Sequence, residues 1–144
     1  MAALFTHPMS FDLAVWHGTR ALSTEEAAGI HEALCEGRAL PSAAGVTASP
    51  SVDAFLAALH ARYPNLDSLP EDAVDASPWA SGFEASDHHV LLNFRWGSAS
   101  DEAVAAAVDL ARSHGLVLFD PQGPQVHLPP ALRPAASRWQ FWRR

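Results

Sequence analysis

The chain of 144 residues contains no lysine and a single cysteine, Cys35. One cysteine excludes an internal disulfide and a zinc site built on several thiolates, and we expect Cys35 to be a small buried thiol on a helix. No apolar run approaches the roughly 20 residues that a membrane-spanning helix needs. The first residues also lack the basic segment and long apolar stretch of a signal peptide, so we expect a cytoplasmic protein without membrane contact.

Positive charge is scarce in most of the chain. Residues 1–132 hold all 16 acidic residues but only five of the nine arginines, which gives this part a net charge of −11. The other four arginines lie in a proline-rich and aromatic tail, residues 129–144. Because so acidic a body repels phosphate groups, we expect no nucleic-acid partner.

The scarcity is greatest between Arg62 and Arg95, where neither lysine nor arginine occurs. Six carboxylates fall in this stretch: Asp67, Glu71, Asp72, Asp75, Glu84 and Asp87. Residues 66–87 of this stretch, the acidic segment, contain two prolines and a tryptophan and are therefore expected to form a shaped loop. Such a concentration of negative charge accelerates the encounter with a basic partner and favours a complementary surface. The alternative is that the loop is only a solvated connection.

Trp79 lies within the acidic segment and has two alternative roles. It could fix the loop to the rest of the domain, or it could be a contact for a partner, since tryptophan is enriched among residues that dominate interfaces. As candidate partner contacts we take this residue together with five carboxylates: Glu71, Asp72, Asp75, Glu84 and Asp87.

Hydrophobic periodicity predicts strands and helices in the order β-α-α-β-α-β-β. The strands are expected at residues 10–17, 88–96, 116–120 and 125–128, and the helices begin with capping signals at Ser23, Ser49 and Ser98. This order predicts an α+β domain over 10–128, preceded by an N-terminal extension, residues 1–9. We expect a mixed sheet of about four strands, with about three helices mainly on one face and the third helix linking two parallel neighbouring strands.

Motifs for catalysis and metal binding are missing from the chain. Adjacent His88 and His89 on a strand should point to opposite faces and therefore share no ion, and no activated nucleophile motif occurs. We therefore expect no enzyme activity, no cofactor and no metal. The alternative is a small enzyme or ligand-binding domain whose pocket on the sheet combines these two histidines with Arg95 and Asp120.

Several segments resemble a family of small bacterial proteins. They are SFDLAVWHG at the start, ARYPNLD and SPWASG around the acidic segment, Trp96-Gly-Ser-Ala, and the late stretch ARSHGLVLFDPQ. Members begin with a Ser-Tyr/Phe-Asp-Leu strand and end near His-Gly-Leu with a strand closing in Asp-Pro-Gln, so the resemblance covers roughly residues 9–123. Some members lie beside toxins, which implies an immunity function, and the family supplies no catalytic residue to carry over.

Together these features predict a protein that acts by binding. The favoured function is that of an immunity protein, which neutralises a cognate toxin by occluding it with the acidic segment. A basic protein surface is therefore the expected partner. A further alternative is an oligomeric adaptor whose C-terminal tail docks on a second copy.

Overall fold

The computed structural model describes residues 10–133 and confirms the α+β class. Five strands and three α-helices follow one another in the predicted order, with one short strand, β2, added. The elements are β1 Ser10–Trp16, α1 Thr24–Glu36, α2 Pro50–Arg62, β2 Glu84–Ala85, β3 His89–Arg95, α3 Ser98–Ser113, β4 Val117–Asp120 and β5 Gln125–His127.

Local hydrogen bonding explains where the first two helices begin and end. Ser23 and Glu26 form the predicted capping box at the start of α1, and Gly37 ends the helix with a positive φ of 70°. The positive φ suits glycine because it has no Cβ to clash with the preceding turn. Ser49 caps α2 ahead of Pro50, which needs no backbone donor at that position. The third helix differs from the prediction, since Gly97 and not Ser98 is its N-terminal cap.

The sheet has the order β2-β3-β1-β4-β5, and every paired strand is antiparallel to its neighbour. The predicted mixed sheet is therefore wrong, as is the expectation that the strands flanking α3 pair with each other. β3 and β4 run in the same direction, but β1 lies between them and pairs with both. Residues 13–16 of β1 are fully buried, which requires a neighbouring strand on each side and cover on each face.

Two helices cover the central strands on one face of the sheet. Helices α2 and α3 pack together there, and β3 and β4 supply much of the apolar surface beneath them. We call this the closed face, and its buried core includes Leu13, Val15, Phe55, Leu92, Phe94 and Leu118. Since alternate residues of a strand point to opposite faces, the neighbours of these strand residues form the other face.

Helix α1 lies on that other face and covers only part of it. It packs against β4 and β5, where Trp16, Ile30, Leu34 and Phe119 form a second apolar cluster. Over β1 and β3 the exposed residues of this face are partly polar, with Asp12 paired with Asn93 across the two strands. We call it the open face. Helices thus lie on both faces, two on the closed face and one on the open face.

Two further expectations are decided by burial. Cys35 is exposed on α1 rather than buried, because it lies on the side of the helix that overhangs the uncovered part of the sheet. Of the expected tail, Leu132 packs against the apolar cluster of the open face. Within residues 10–133, no helix is long and apolar enough to cross a membrane.

Candidate binding site

The acidic segment covers the outer edge of β3. It forms two 3₁₀ turns, Leu66–Ser68 and Glu71–Ala76, and then runs alongside the strand. Arg95 donates its backbone N–H to the Pro78 carbonyl, and Ala80 donates to the Asn93 carbonyl, both at 2.9 Å. β2 continues the pairing further along. The segment is therefore a shaped loop, as predicted, and its shape comes from hydrogen bonds to the sheet edge.

Trp79 fixes the acidic segment to the domain. Its side chain is 3 % exposed, and its Nε1–H donates to the carbonyls of Tyr63 and Pro64 at 3.0 and 3.1 Å. The indole also packs on Phe94, with 4.7 Å between ring centroids. A side chain held in this way has no surface to offer a partner, so the expectation that Trp79 is a contact is corrected. The other role considered for it, fixing the loop, agrees with the geometry.

Arg95 supports the same loop without neutralising it. Its guanidinium donates to the backbone carbonyls of Val74, Asp75 and Trp79 at 3.3 to 3.4 Å. Two of these carbonyls, those of Val74 and Asp75, belong to the last residues of the longer 3₁₀ turn, and that of Trp79 follows it. Arg95 thus bonds to the backbone of the loop, and the carboxylate of Asp75 is left to the solvent.

The candidate carboxylates are all exposed, but they form two separate groups. Glu71, Asp72 and Asp75 lie in the 3₁₀ turn beside Arg95. Glu84 begins β2 and Asp87 follows that strand, near His89. The two ends of β3 are about 20 Å apart at the usual rise per strand residue. The segment therefore presents two acidic patches along one edge of the molecule.

No arginine of residues 10–133 forms an ion pair with any carboxylate of the acidic segment. Arg20, Arg38 and Arg112 pair instead with carboxylates on the helices. In the described part of the chain, one carboxylate of the acidic segment lies close to a basic side chain: Glu84 Oε2 is 3.7 Å from His89 Nε2. The negative charge of both patches is therefore available to a partner.

A groove about 390 Å³ in volume opens on the open face, between α1 and the edge of the sheet. We call it the sheet groove. Its polar lining residues are Asp12, Cys35, Ser81, Glu84 and Asn93, and its apolar ones include Phe83 and Leu91. Of these, sequence reasoning identified only Glu84 as a candidate. The available signal was polar Asp12 and Asn93 within otherwise apolar strands.

Cys35 and His31 face each other at the α1 side of the groove, with 3.6 Å between Sγ and Nε2. Desolvation is the main cause that raises the pKa of the Cys35 thiol, and the negative charges of Asp12 and Glu84 raise it further. The pKa of His31 is lowered, again mainly by desolvation. A thiol kept protonated beside a neutral imidazole is the opposite of an activated cysteine nucleophile.

His88 and His89 lie together, contrary to the expectation that their rings point to opposite faces. His88 precedes the strand, so the alternation of strand residues does not apply to it. The two rings are stacked with their Nδ1 atoms 3.1 Å apart, and the Ser86 hydroxyl lies 2.7 Å from Nδ1 of His89. Burial, and secondly the charge of His88, lower the pKa of His89. Within residues 10–133, no three His, Cys, Asp or Glu side chains are grouped to hold a metal ion.

The alternative pocket of His88, His89, Arg95 and Asp120 is not assembled. Arg95 lies at the far end of β3 from the histidines, and β1 separates that strand from Asp120 on β4. Asp120 accepts the backbone N–H of Gln122 at 2.9 Å and so stabilises a turn. The four residues therefore do not form a single site, which corrects the expectation of a pocket built from them.

Comparison with protein-family models, curated proteins and solved structures finds no match for this chain. The function proposed below is therefore argued from the residues and their geometry.

Proposed function

We propose that the chain is an immunity protein that neutralises a basic toxin by binding it, in the cytoplasm, through the carboxylates of the acidic segment. One observation carries the proposal. Six carboxylates of this segment are exposed, and none forms an ion pair with an arginine of residues 10–133. Unpaired surface charge of one sign accelerates encounter with a partner of the opposite sign.

The way the segment is held supports binding. Backbone pairing with β3, the buried Trp79 and the Arg95 guanidinium all fix the loop from its inner side. A surface ordered before the encounter loses less conformational entropy when a partner docks. The carboxylates, on the outer side, take no part in holding the loop. Order and charge thus come from different side chains.

Without an exposed aromatic contact at Trp79, charge is the main feature that the segment offers. Exposed charges at the rim of an interface act mostly on the association rate and its salt dependence. We therefore propose fast, salt-sensitive association, with the toxin blocked because its basic surface is covered. This mode of action requires neither a cofactor nor a catalytic group.

The decisive experiment reverses charge at two exposed positions, Asp72→Lys together with Asp75→Lys. The partner is a candidate toxin selected from the genes that neighbour this one, and the association rate is measured by stopped flow at several salt concentrations. We expect the rate at low salt to fall on the order of tenfold and its salt dependence to flatten. Neither carboxylate holds the fold, so thermal unfolding should change little.

The matched control is Glu32→Lys with Glu36→Lys on α1, which changes the net charge by the same amount. These residues pair only with exposed Arg38, so the loss of stability should be small. The control should slow association much less than the reversal in the acidic segment. Equal effects of the two double variants would show that net charge alone matters and would remove the segment from the interface.

A second candidate function, a ligand-binding domain, is favoured by the sheet groove and not by the histidine set expected from the sequence. The groove is lined by convergent polar groups on a part of the sheet that no helix covers. The adaptor alternative depends on the tail, of which residues 134–144 lie outside the described residues. It stays a prediction, tested by truncation after Leu132 and measurement of mass in solution.

A further inference from the structure

The sheet groove presents hydrogen-bond acceptors and negative charge to a ligand. Asn93 donates its Nδ2–H to Asp12 Oδ1 at 2.8 Å, and its Oδ1 lies 2.8 Å from the Ser81 hydroxyl. This chain of bonds uses one oxygen of Asp12, and the other oxygen accepts no hydrogen bond from residues 10–133. Glu84 contributes a second carboxylate, and no cationic side chain is among the residues that line the groove.

A buried and unpartnered group lies directly behind Glu84. His89 is 7 % exposed, and its Nε2 has no hydrogen-bond partner among residues 10–133. This atom points at Glu84 Oε2, 3.7 Å away. When the Ser86 hydroxyl donates to Nδ1 of the same ring, the ring proton is on Nε2 and is directed at the carboxylate. A neutral imidazole in this position orients Glu84 without cancelling its charge.

The walls of the groove suit a long side chain with a planar charged end. Leu91 and Phe83 supply apolar surface beside the carboxylates, and Gly82 leaves room at the edge. The volume of about 390 Å³ exceeds the roughly 30 Å³ share of one liquid water many times. An aliphatic stem can lie on such a wall while its charged end reaches the acceptors.

We propose that the sheet groove binds an arginine side chain of a basic protein partner, with its guanidinium between Asp12 and Glu84. Arginine fits better than lysine, because its planar fork can donate to both carboxylates at once. This inference rests on the proposed function, because the arginine is supplied by the basic toxin that is the partner there. It adds a specific contact on the open face to the steering charges of the acidic segment.

The test uses the ¹⁵N-labelled full chain and a capped arginine, N-acetyl-arginine methylamide, with no toxin present. Two-dimensional NMR spectra follow the side-chain amide of Asn93 and the backbone amides of Gly82 and Glu84 during titration. We expect saturable shifts at these three positions. Capped citrulline, which has the same shape without the charge, should bind about tenfold more weakly, as should the variant Asp12→Asn with Glu84→Gln. Asp101→Asn with Asp109→Asn on α3, which covers the other face, is the matched control and should bind capped arginine as the parent chain does.

A second perturbation leaves both carboxylates in place. Cys35 is the only cysteine of the chain and lines the groove, so alkylation with N-ethylmaleimide fills the site with a neutral group. The alkylated protein should lose the shifts, and this arm applies even where the double variant fails to fold. Absence of shifts with capped arginine, or equal shifts with capped citrulline, overturns the proposal. Because no toxin is used, failure here is distinguishable from failure of the charge-reversal experiment.

Discussion

The two faces of the sheet differ in how completely they are covered. The closed face has two helices over it and fully buried apolar side chains such as Leu92 and Phe94. The open face has one helix, which leaves a groove with two carboxylates, an amide and a thiol. The same strands supply both faces, so the difference lies in alternate residues of one backbone. The closed face stabilises the fold, and the open face and adjacent edge retain the groups that could bind a partner.

The comparison is tested most directly by two neighbouring leucines of β3. Leu92 is fully buried on the closed face, whereas Leu91 is only partly buried on the open face. We expect Leu92→Ala to lower the free energy of unfolding by about 2–5 kcal/mol, because it leaves a cavity in a packed core. Leu91→Ala should cost clearly less. Urea denaturation measures both, and equal losses would show that the open face is as well packed as the closed one.

A smaller effect is expected at Trp79, which joins the acidic segment to the closed face. Trp79→Phe retains an aromatic ring but removes the Nε1–H that donates to Tyr63 and Pro64. The loss should be about 1–3 kcal/mol, since two partly buried carbonyls lose a donor. The affinity of the folded variant for the proposed toxin should stay close to that of the parent chain. A large loss of affinity at unchanged stability would instead make Trp79 a direct contact.

The smallest effect concerns pH and the buried imidazole at the open face. Burial is the main cause that lowers the pKa of His89, with His88 adding to it, while Glu84 and Asp87 act in the opposite direction. Below about pH 6.5 the unfolded chain therefore binds a proton more readily than the folded one. Stability should fall as the solution becomes more acidic through this range.

The variant His89→Gln removes this titration and keeps an amide near Glu84. We expect the loss of unfolding free energy between about pH 7.5 and about pH 5.5 to be smaller in the variant than in the parent chain. His31 has a lowered pKa as well, so some pH dependence should persist in the variant. An identical loss in both proteins would show that His89 does not contribute to it.

The sequence predicted the elements well because their signals are local. The capping box at Ser23 and the Ser49-Pro50 start each involve residues within one helical turn, and both are present in the structure. The pairing of strands was not predictable in this way. Two strands joined by a crossover helix run in the same direction. Whether they pair with each other depends on whether another strand lies between them. Here β1, which precedes β4 by about 100 residues in the chain, lies between β3 and β4 and pairs with both.

The features of the candidate site likewise divide into those that were predictable from the sequence and those that were not. The acidic segment, its six carboxylates and its lack of a compensating arginine follow from composition and are fixed by the sequence itself. Only the tertiary structure decided that Trp79 faces inward, that Arg95 bonds to carbonyls, and that Asp12 and Glu84 face one groove. The physical reason is that charge and capping belong to residues near one another in the chain. Burial and the convergence of side chains depend on which distant strands and helices pack together.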